Sequence, residues 1–160
     1  MIMLDMDGVL ADFEGWSANV IGPDWKHEIN EVPEWGRYKE YPRLYRDLPM
    51  LPNAKELYEE CVEYAGDQNQ VQILTALPNK AKHHFPDAAL DKVEWARKHI
   101  HPKLRVVFGP MARDKQLHCV TLSDVLIDDM QINIDQWKAK GGIGILHTSV
   151  ENTLEQLWRI

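Results

Sequence analysis

Cysteine is scarce: Cys61 and Cys119 are the only two in 160 residues. That is too few for a disulfide framework, and the two lack the C-x-x-C spacing of zinc or redox sites. Both are expected to be reduced thiols of a cytoplasmic protein. No apolar run is long enough to cross a bilayer, and Asp5 and Asp7 interrupt the apolar start that a signal peptide would need. Positive charge is in deficit, with 18 Lys and Arg against 25 Asp and Glu and a formal net charge of -7. A surface for nucleic-acid backbone or anionic membrane needs clustered cations, so neither is expected as a partner. One or two placed cations could still hold a small phosphorylated ligand. Internal repeats and low-complexity tracts are also missing. A chain of 160 residues can bury one core and carry a small insertion, but not two ordinary domains.

Against these absences stands the first stretch, Ile2-Met3-Leu4-Asp5-Met6-Asp7-Gly8. It reads as a buried strand whose carboxyl end presents acids at a loop, where open α/β sheets place their ligands. On a continuing strand Asp5 and Asp7 would share a face, and two close carboxylates repel each other unless a cation lies between them. A divalent metal is the simplest such cation. Gly8 lets the chain turn sharply away.

Four further apolar runs follow the same plan: Val71 to Thr75, Leu104 to Phe108, Asp124 to Ile127 and Ile143 to Leu146. Between them lie helical patterns. Asn53 is expected to cap a helix carrying Ala54, Leu57, Tyr58, Cys61 and Val62, which stops at Gly66. From Asp87 a helix should turn Ala89, Val93, Ala96 and Ile100 inward. A modest helix from Ile132 to Lys138 stops at Gly141, and Thr148 with Glu151 suggests a capping box for a last helix bearing Leu154 and Leu157. Alternating strands and helices predict an α/β fold with a Rossmann-like parallel sheet and helices on both faces. The segment 14–49 loses the period. Its scattered Trp16, Trp25 and Trp35 and several prolines suggest a small, partly irregular insertion, held together by its aromatic rings, between core segments 1–13 and 50–160.

In such a sheet the strand ends converge on one edge, so Asp5 and Asp7, Thr75, Lys115, and Asp128 and Asp129 should meet. A carboxylate nucleophile, a hydroxyl donor, an ammonium and a further acid are what phosphoryl transfer needs, because its catalysis is mostly positioning and charge neutralisation.

In this order the residues resemble the haloacid dehalogenase (HAD) superfamily of phosphatases, whose four motifs match Asp5-Met6-Asp7-Gly8-Val9, Thr75, Lys115 and Asp128-Asp129. The longer run from Asp5 to Glu14, with Arg113-Asp114-Lys115 and Asp124 to Asp129, is similar to the 5′(3′)-deoxyribonucleotidase family. The stretch from Thr75 through Lys80 to Trp95 is similar too. The resemblance implies a phosphatase acting on nucleoside monophosphates through an aspartyl phosphate. Asp5 would be the nucleophile and Asp7 the general acid and base. Mg2+ would be held by Asp5, Asp7 through its backbone carbonyl, and Asp129, with Asp128 supporting. Thr75 and Lys115 would bind phosphate, Phe13 would contact base or sugar, and Lys80 is a further phosphate contact. The resemblance makes the insertion 14–49 a small cap over the site. Two departures stand out: Ala76 replaces a phosphate-binding serine, and the cap is short.

Other readings share these parts. They are a HAD phosphatase for another small phosphate or for a nucleic-acid end, a receiver-like phosphorylation switch, and a catalytically silent phosphate-binding protein. Paired acids at the first strand argue against the last two.

Overall fold

Short apolar runs that cannot hydrogen-bond alone pair side by side, and here five of them form one parallel sheet. The computed structural model describes residues 1–160. The strands are β1 (Ile2–Leu4), β2 (Val71–Ala76), β3 (Val106–Gly109), β4 (Val125–Asp128) and β5 (Ile143–Leu146), in the order β3-β2-β1-β4-β5. Leu4 at the end of β1 registers with Ile73 on one side and Ile127 on the other. Strand order reverses direction about β1, so a crevice opens beyond the carboxyl ends of β1 and β4.

Side chains alternate between the two faces, and each face has its own core. Ile2, Leu4, Ile73, Val125 and Ile127 pack with residues from α3 (Ala54–Ala65), α4 (Ala88–His99) and α6 (Val150–Leu157), among them Leu57, Trp95 and Leu157. Met3, Leu74 and Leu126 point the other way, onto Ile134 and Trp137 of α5 (Gln131–Ala139). The α/β reading with helices on both faces is therefore what the chain adopts.

The segment between β1 and α3 holds α1 (Phe13–Val20), a 3₁₀ turn at Trp35–Tyr38 and the single-turn α2 (Leu44–Asp47). Its buried Trp25, Tyr38, Leu44, Tyr45 and Leu48 are continuous with the first-face core. Phe13 stacks near-parallel with Tyr38 at a ring separation of 6.1 Å, and Tyr45 meets Phe85 edge-on at 5.3 Å. The Tyr38 hydroxyl donates to Ser17 Oγ at 2.9 Å, which satisfies a polar group in this otherwise apolar stack.

Three local expectations need correction. Asn53 does not cap α3 with its side chain; it adopts a left-handed conformation, φ 61°, one residue before the helix, as short polar side chains tolerate. The last helix is capped by Ser149, whose hydroxyl accepts from the N–H of Asn152, and not by Thr148. On α4 the buried face is Ala88, Asp91, Lys92, Trp95 and Ala96, while Ala89 is exposed. A stripe chosen by hydrophobicity alone passes over Asp91 and Lys92, which are buried because each has a charged partner.

Candidate active site

β1 ends at Leu4, so Asp5 and Asp7 do not share a face of a continuing strand. After Asp5 the chain coils on itself, with the N–H groups of Leu10 and Ala11 both donating to the Met6 carbonyl. Gly8 makes this turn possible: its φ of +83° is left-handed, and a Cβ there would overlap the Asp129 carboxylate. The two acids are thereby separated, and each meets a different lysine. Each of the two acids has a buried ammonium beside it, Lys115 as expected at this edge and Lys92, which the sequence reading did not foresee.

Asp5 accepts from the N–H of Met6 at 2.8 Å and pairs with Lys115 Nζ at 2.8 Å. Lys115 also pairs with Asp128 Oδ2 at 2.7 Å. It projects from a 3₁₀ helix, Ala112–His118, that folds back directly after β3. Asp128 is fully buried and further engaged by Asn133 Nδ2, at 3.0 and 3.1 Å to its two oxygens, and by the N–H of Met130 at 2.9 Å. Those bonds fix Asp128 as a brace for Lys115. Asp129 is not so engaged and faces the cleft. Asp7 Oδ2 accepts from Lys92 Nζ at 2.6 Å, and the same ammonium donates to Thr75 Oγ1 at 2.9 Å.

The electrostatics follow from this crowding. Burial pushes Asp5 up to about 7, with the charges of Asp128 and Asp7 adding to it, and Lys115 offsets only part of the rise. Burial of its carboxyl, next to Asp128, likewise raises Asp129 to about 6. Burial alone would lower Lys115, but Asp5 and Asp128 hold it up at about 12. Carboxylate oxygens of Asp5, Asp128 and Asp129 lie within 4.8 Å of one another. An all-oxygen set carrying excess negative charge suits a hard divalent cation such as Mg2+, which the resemblance implies. The oxygens of Asp128 are taken up by Lys115, Asn133 and the N–H of Met130; Asp129 has no such partner, and with Asp5 it is the side chain that the resemblance assigns to the ion.

These groups line one cleft of about 220 Å3. Asp5, Asp7, Thr75, Ala76, Lys115, Asp129 and Asn133 form its floor, while Phe13, Glu14, Trp25, Glu31 and Pro33 form the opposite wall. Phe13 is thus brought to the cleft. Lys80 is not: it is exposed on the 3₁₀ turn Asn79–Ala81, outside the lining. Residues the sequence reading passed over are Asn133, Glu14 and Lys92. For Lys92 a signal existed, because Ala88, Asp91, Lys92, Trp95 and Ala96 are spaced as one helical stripe containing two charges.

Comparison with known proteins supplies an independent finding. A family model described as "5′ nucleotidase, deoxy (Pyrimidine), cytosolic type C protein" matches residues 1–159. No curated protein sequence matches the chain. Among solved structures, the HAD domain of the effector protein Lem4 from Legionella pneumophila is similar. It shares 15% identity over 91% of this chain and 83% of that one, with a TM-score of 0.44. No helix is long and apolar enough to cross a membrane.

Proposed function

The chain belongs to the 5′ nucleotidase, deoxy (pyrimidine), cytosolic type C family, and on that premise we propose that it hydrolyses the phosphate monoester of deoxyribonucleoside monophosphates through an aspartyl phosphate. The observation that carries this reading is the convergence of Asp5, Asp7, Thr75, Lys115 and Asp129 from separate strand ends on one cleft. Phosphoryl transfer needs little more than placed charges, and these are the charges it needs.

An Asp5 carboxylate oxygen attacks phosphorus and the bond from phosphorus to the nucleoside oxygen breaks. Asp7 gives its proton to that departing oxygen. Water then attacks the aspartyl phosphate, Asp7 takes up the water's proton, and inorganic phosphate leaves with Asp5 restored. Lys115 neutralises charge on Asp5 and the phosphate, and Thr75 orients the phosphate from the neighbouring strand. Asp5, Asp129 and the backbone carbonyl of Asp7 would hold a magnesium ion, which would supply further charge neutralisation at the phosphate. Where the family has a serine, Ala76 offers the cleft no hydroxyl.

Segment 14–49 acts as the cap over a core of 1–13 and 50–160. It presents Trp25, with Phe13 at its edge, to the base or sugar. The protein works in the cytoplasm, in keeping with the cytosolic type named for its family.

Phosphate release from a panel of nucleoside monophosphates, with Mg2+ and with EDTA, tests the assignment. Turnover of dUMP or dTMP that is lost in EDTA and restored by Mg2+ is expected. Turnover of only a 3′-phosphorylated oligonucleotide, or only a sugar phosphate, would overturn the nucleotide assignment in favour of another phosphatase.

A further inference from the structure

Lys92 is the buried cation for which the proposed chemistry has no use. Its side chain is 1% exposed, and its ammonium donates to Asp7 Oδ2 at 2.6 Å and to Thr75 Oγ1 at 2.9 Å. It also lies 4.6 Å from the centre of the Tyr45 ring. The other Asp7 oxygen, Oδ1, is buried and has no hydrogen-bond partner. Lys92 is therefore the sole side chain holding the Asp7 carboxylate. We propose that Lys92 is a positioning residue that locks the Asp7 carboxylate and the Thr75 hydroxyl in fixed relation, so that proton transfer and phosphate binding address the same substrate. The proposal rests on the reading of Asp7 as general acid and base.

The surroundings of Lys92 are built for this purpose. An ammonium removed from water must be compensated on several sides. Asp7 supplies the opposite charge, Thr75 an acceptor, and Tyr45 the electron-rich face of a ring. Asp7 and Thr75 belong to different elements, the turn after β1 and the end of β2, and Lys92 joins them from a third.

The helix bearing Lys92 is anchored in turn. Asp91, its neighbour, is fully buried and accepts from Arg43 Nε at 2.8 Å and Nη2 at 2.5 Å. One turn on, Trp95 Nε1 donates to the Leu48 carbonyl at 2.8 Å. Both anchors lie in the stretch that returns from the cap, so α4 cannot slide along the sheet without breaking them. Lys92 itself does not line the cleft, whereas Lys115 does. Its action on the reaction therefore passes through Asp7 and Thr75.

A leaving-group comparison isolates that action. Expulsion of a nucleoside oxygen requires the proton from Asp7, whereas p-nitrophenolate leaves as a stable anion. Single-turnover rates are measured on dUMP and on p-nitrophenyl phosphate for the wild type, Lys92→Met, Asp7→Asn and the double variant, each checked for folding by circular dichroism. Lys92→Met is expected to slow dUMP cleavage about 100-fold and the nitrophenolate burst about 5-fold or less. In the Asp7→Asn background the same substitution should change the dUMP rate by about 5-fold or less, the part that acts through Thr75, because the carboxylate it positions is already gone. Equal losses on both substrates, or an undiminished loss in the Asp7→Asn background, would overturn the proposal. Lys92→Gln takes the same comparison if the methionine variant does not fold. If the wild type cleaves another alkyl phosphate and not dUMP, the substrate assignment fails while the comparison proceeds on that ester.

Discussion

At the carboxyl edge of the sheet burial pushes Asp5 up to about 7 and Asp129 up to about 6, whereas at the amino edge Asp124 is held below its ordinary value. The residue type is the same, and Asp124 and Asp129 flank the same strand, β4. At the amino edge burial would raise Asp124, but the N–H groups of Thr121 and Val120, at 2.7 and 2.9 Å, outweigh it together with the Met1 ammonium at 3.2 Å. At the carboxyl edge four carboxylates, Asp5, Asp7, Asp128 and Asp129, share two ammonium groups, Lys92 and Lys115. The difference separates two uses of a buried carboxylate: one end of the sheet spends its donors on satisfying an acid, and the other leaves acids under-compensated, ready for a cation and a phosphate.

The sharpest way to test that division is Asp5→Asn. The comparison predicts loss of phosphatase activity by at least about 10³-fold, since the amide cannot serve as nucleophile. Stability in urea should be maintained, because a strained buried charge is removed. Loss of folding together with activity would mean that the carboxyl edge is structural in the same sense as the amino edge.

Gly8→Ala comes next. A Cβ at a φ of +83° is strained, and it would also displace the Asp129 carboxylate. Moving a site group by about 1 Å can cost about 10²-fold in rate, so a fall of that order is expected, with a weaker apparent affinity for Mg2+. Titration of activity against Mg2+ reads both effects.

Phe13→Ala tests the wall opposite the floor. Phe13 is half-buried among Tyr38, Tyr45, Trp25 and Trp35 as well as lining the cleft. Truncation should cost about 2 kcal/mol of stability, less than for a fully buried ring. It should raise KM roughly 10-fold and leave kcat nearly unchanged if the ring contributes only to substrate binding. A fall in kcat with constant KM would place it among the reacting groups instead.

The carboxyl edge was legible in the sequence because a parallel sheet delivers strand ends to one place whatever the loops do. Asp5, Thr75 and Asp128 could be placed by counting apolar runs. Lys92 could not be placed that way. It stands on a helix, seventeen positions beyond Thr75, and its partners are set by how α4 packs beneath Tyr45, which no period in the sequence records. Lys80, closer to Thr75 in the chain and similar in kind, is exposed because the chain turns outward at Pro78 and Asn79. The wall contributed by 14–49 was obscure for a related reason: its aromatic rings pack by shape against one another, and shape has no spacing rule. The caps were missed by one residue at Thr148, because both it and Ser149 have a hydroxyl and only the backbone decides between them.

The smallest effect belongs to the amino edge itself, in Asp124→Ala. Its lowered value in the folded state means that the carboxylate form is favoured by folding. A depressed carboxyl contributes stability that is complete above the unfolded value of about 4 and is lost as pH falls through the folded value. At pH 7 the substitution should cost about 1 to 2 kcal/mol, since it strips two N–H groups in the loop before β4 and the Met1 ammonium of their acceptor. The cost should shrink steadily below about pH 4, as the wild type gives up the same bonds by protonation. Activity at pH 7 under conditions where both proteins are folded should match the wild type, because no group of the cleft contacts Asp124. Urea unfolding of both proteins from pH 7 to pH 3 measures the first expectation, and dUMP turnover the second. A pH-independent difference would mean that Asp124 acts by filling space and not by its charge, and the contrast between the two edges would then reduce to one of packing.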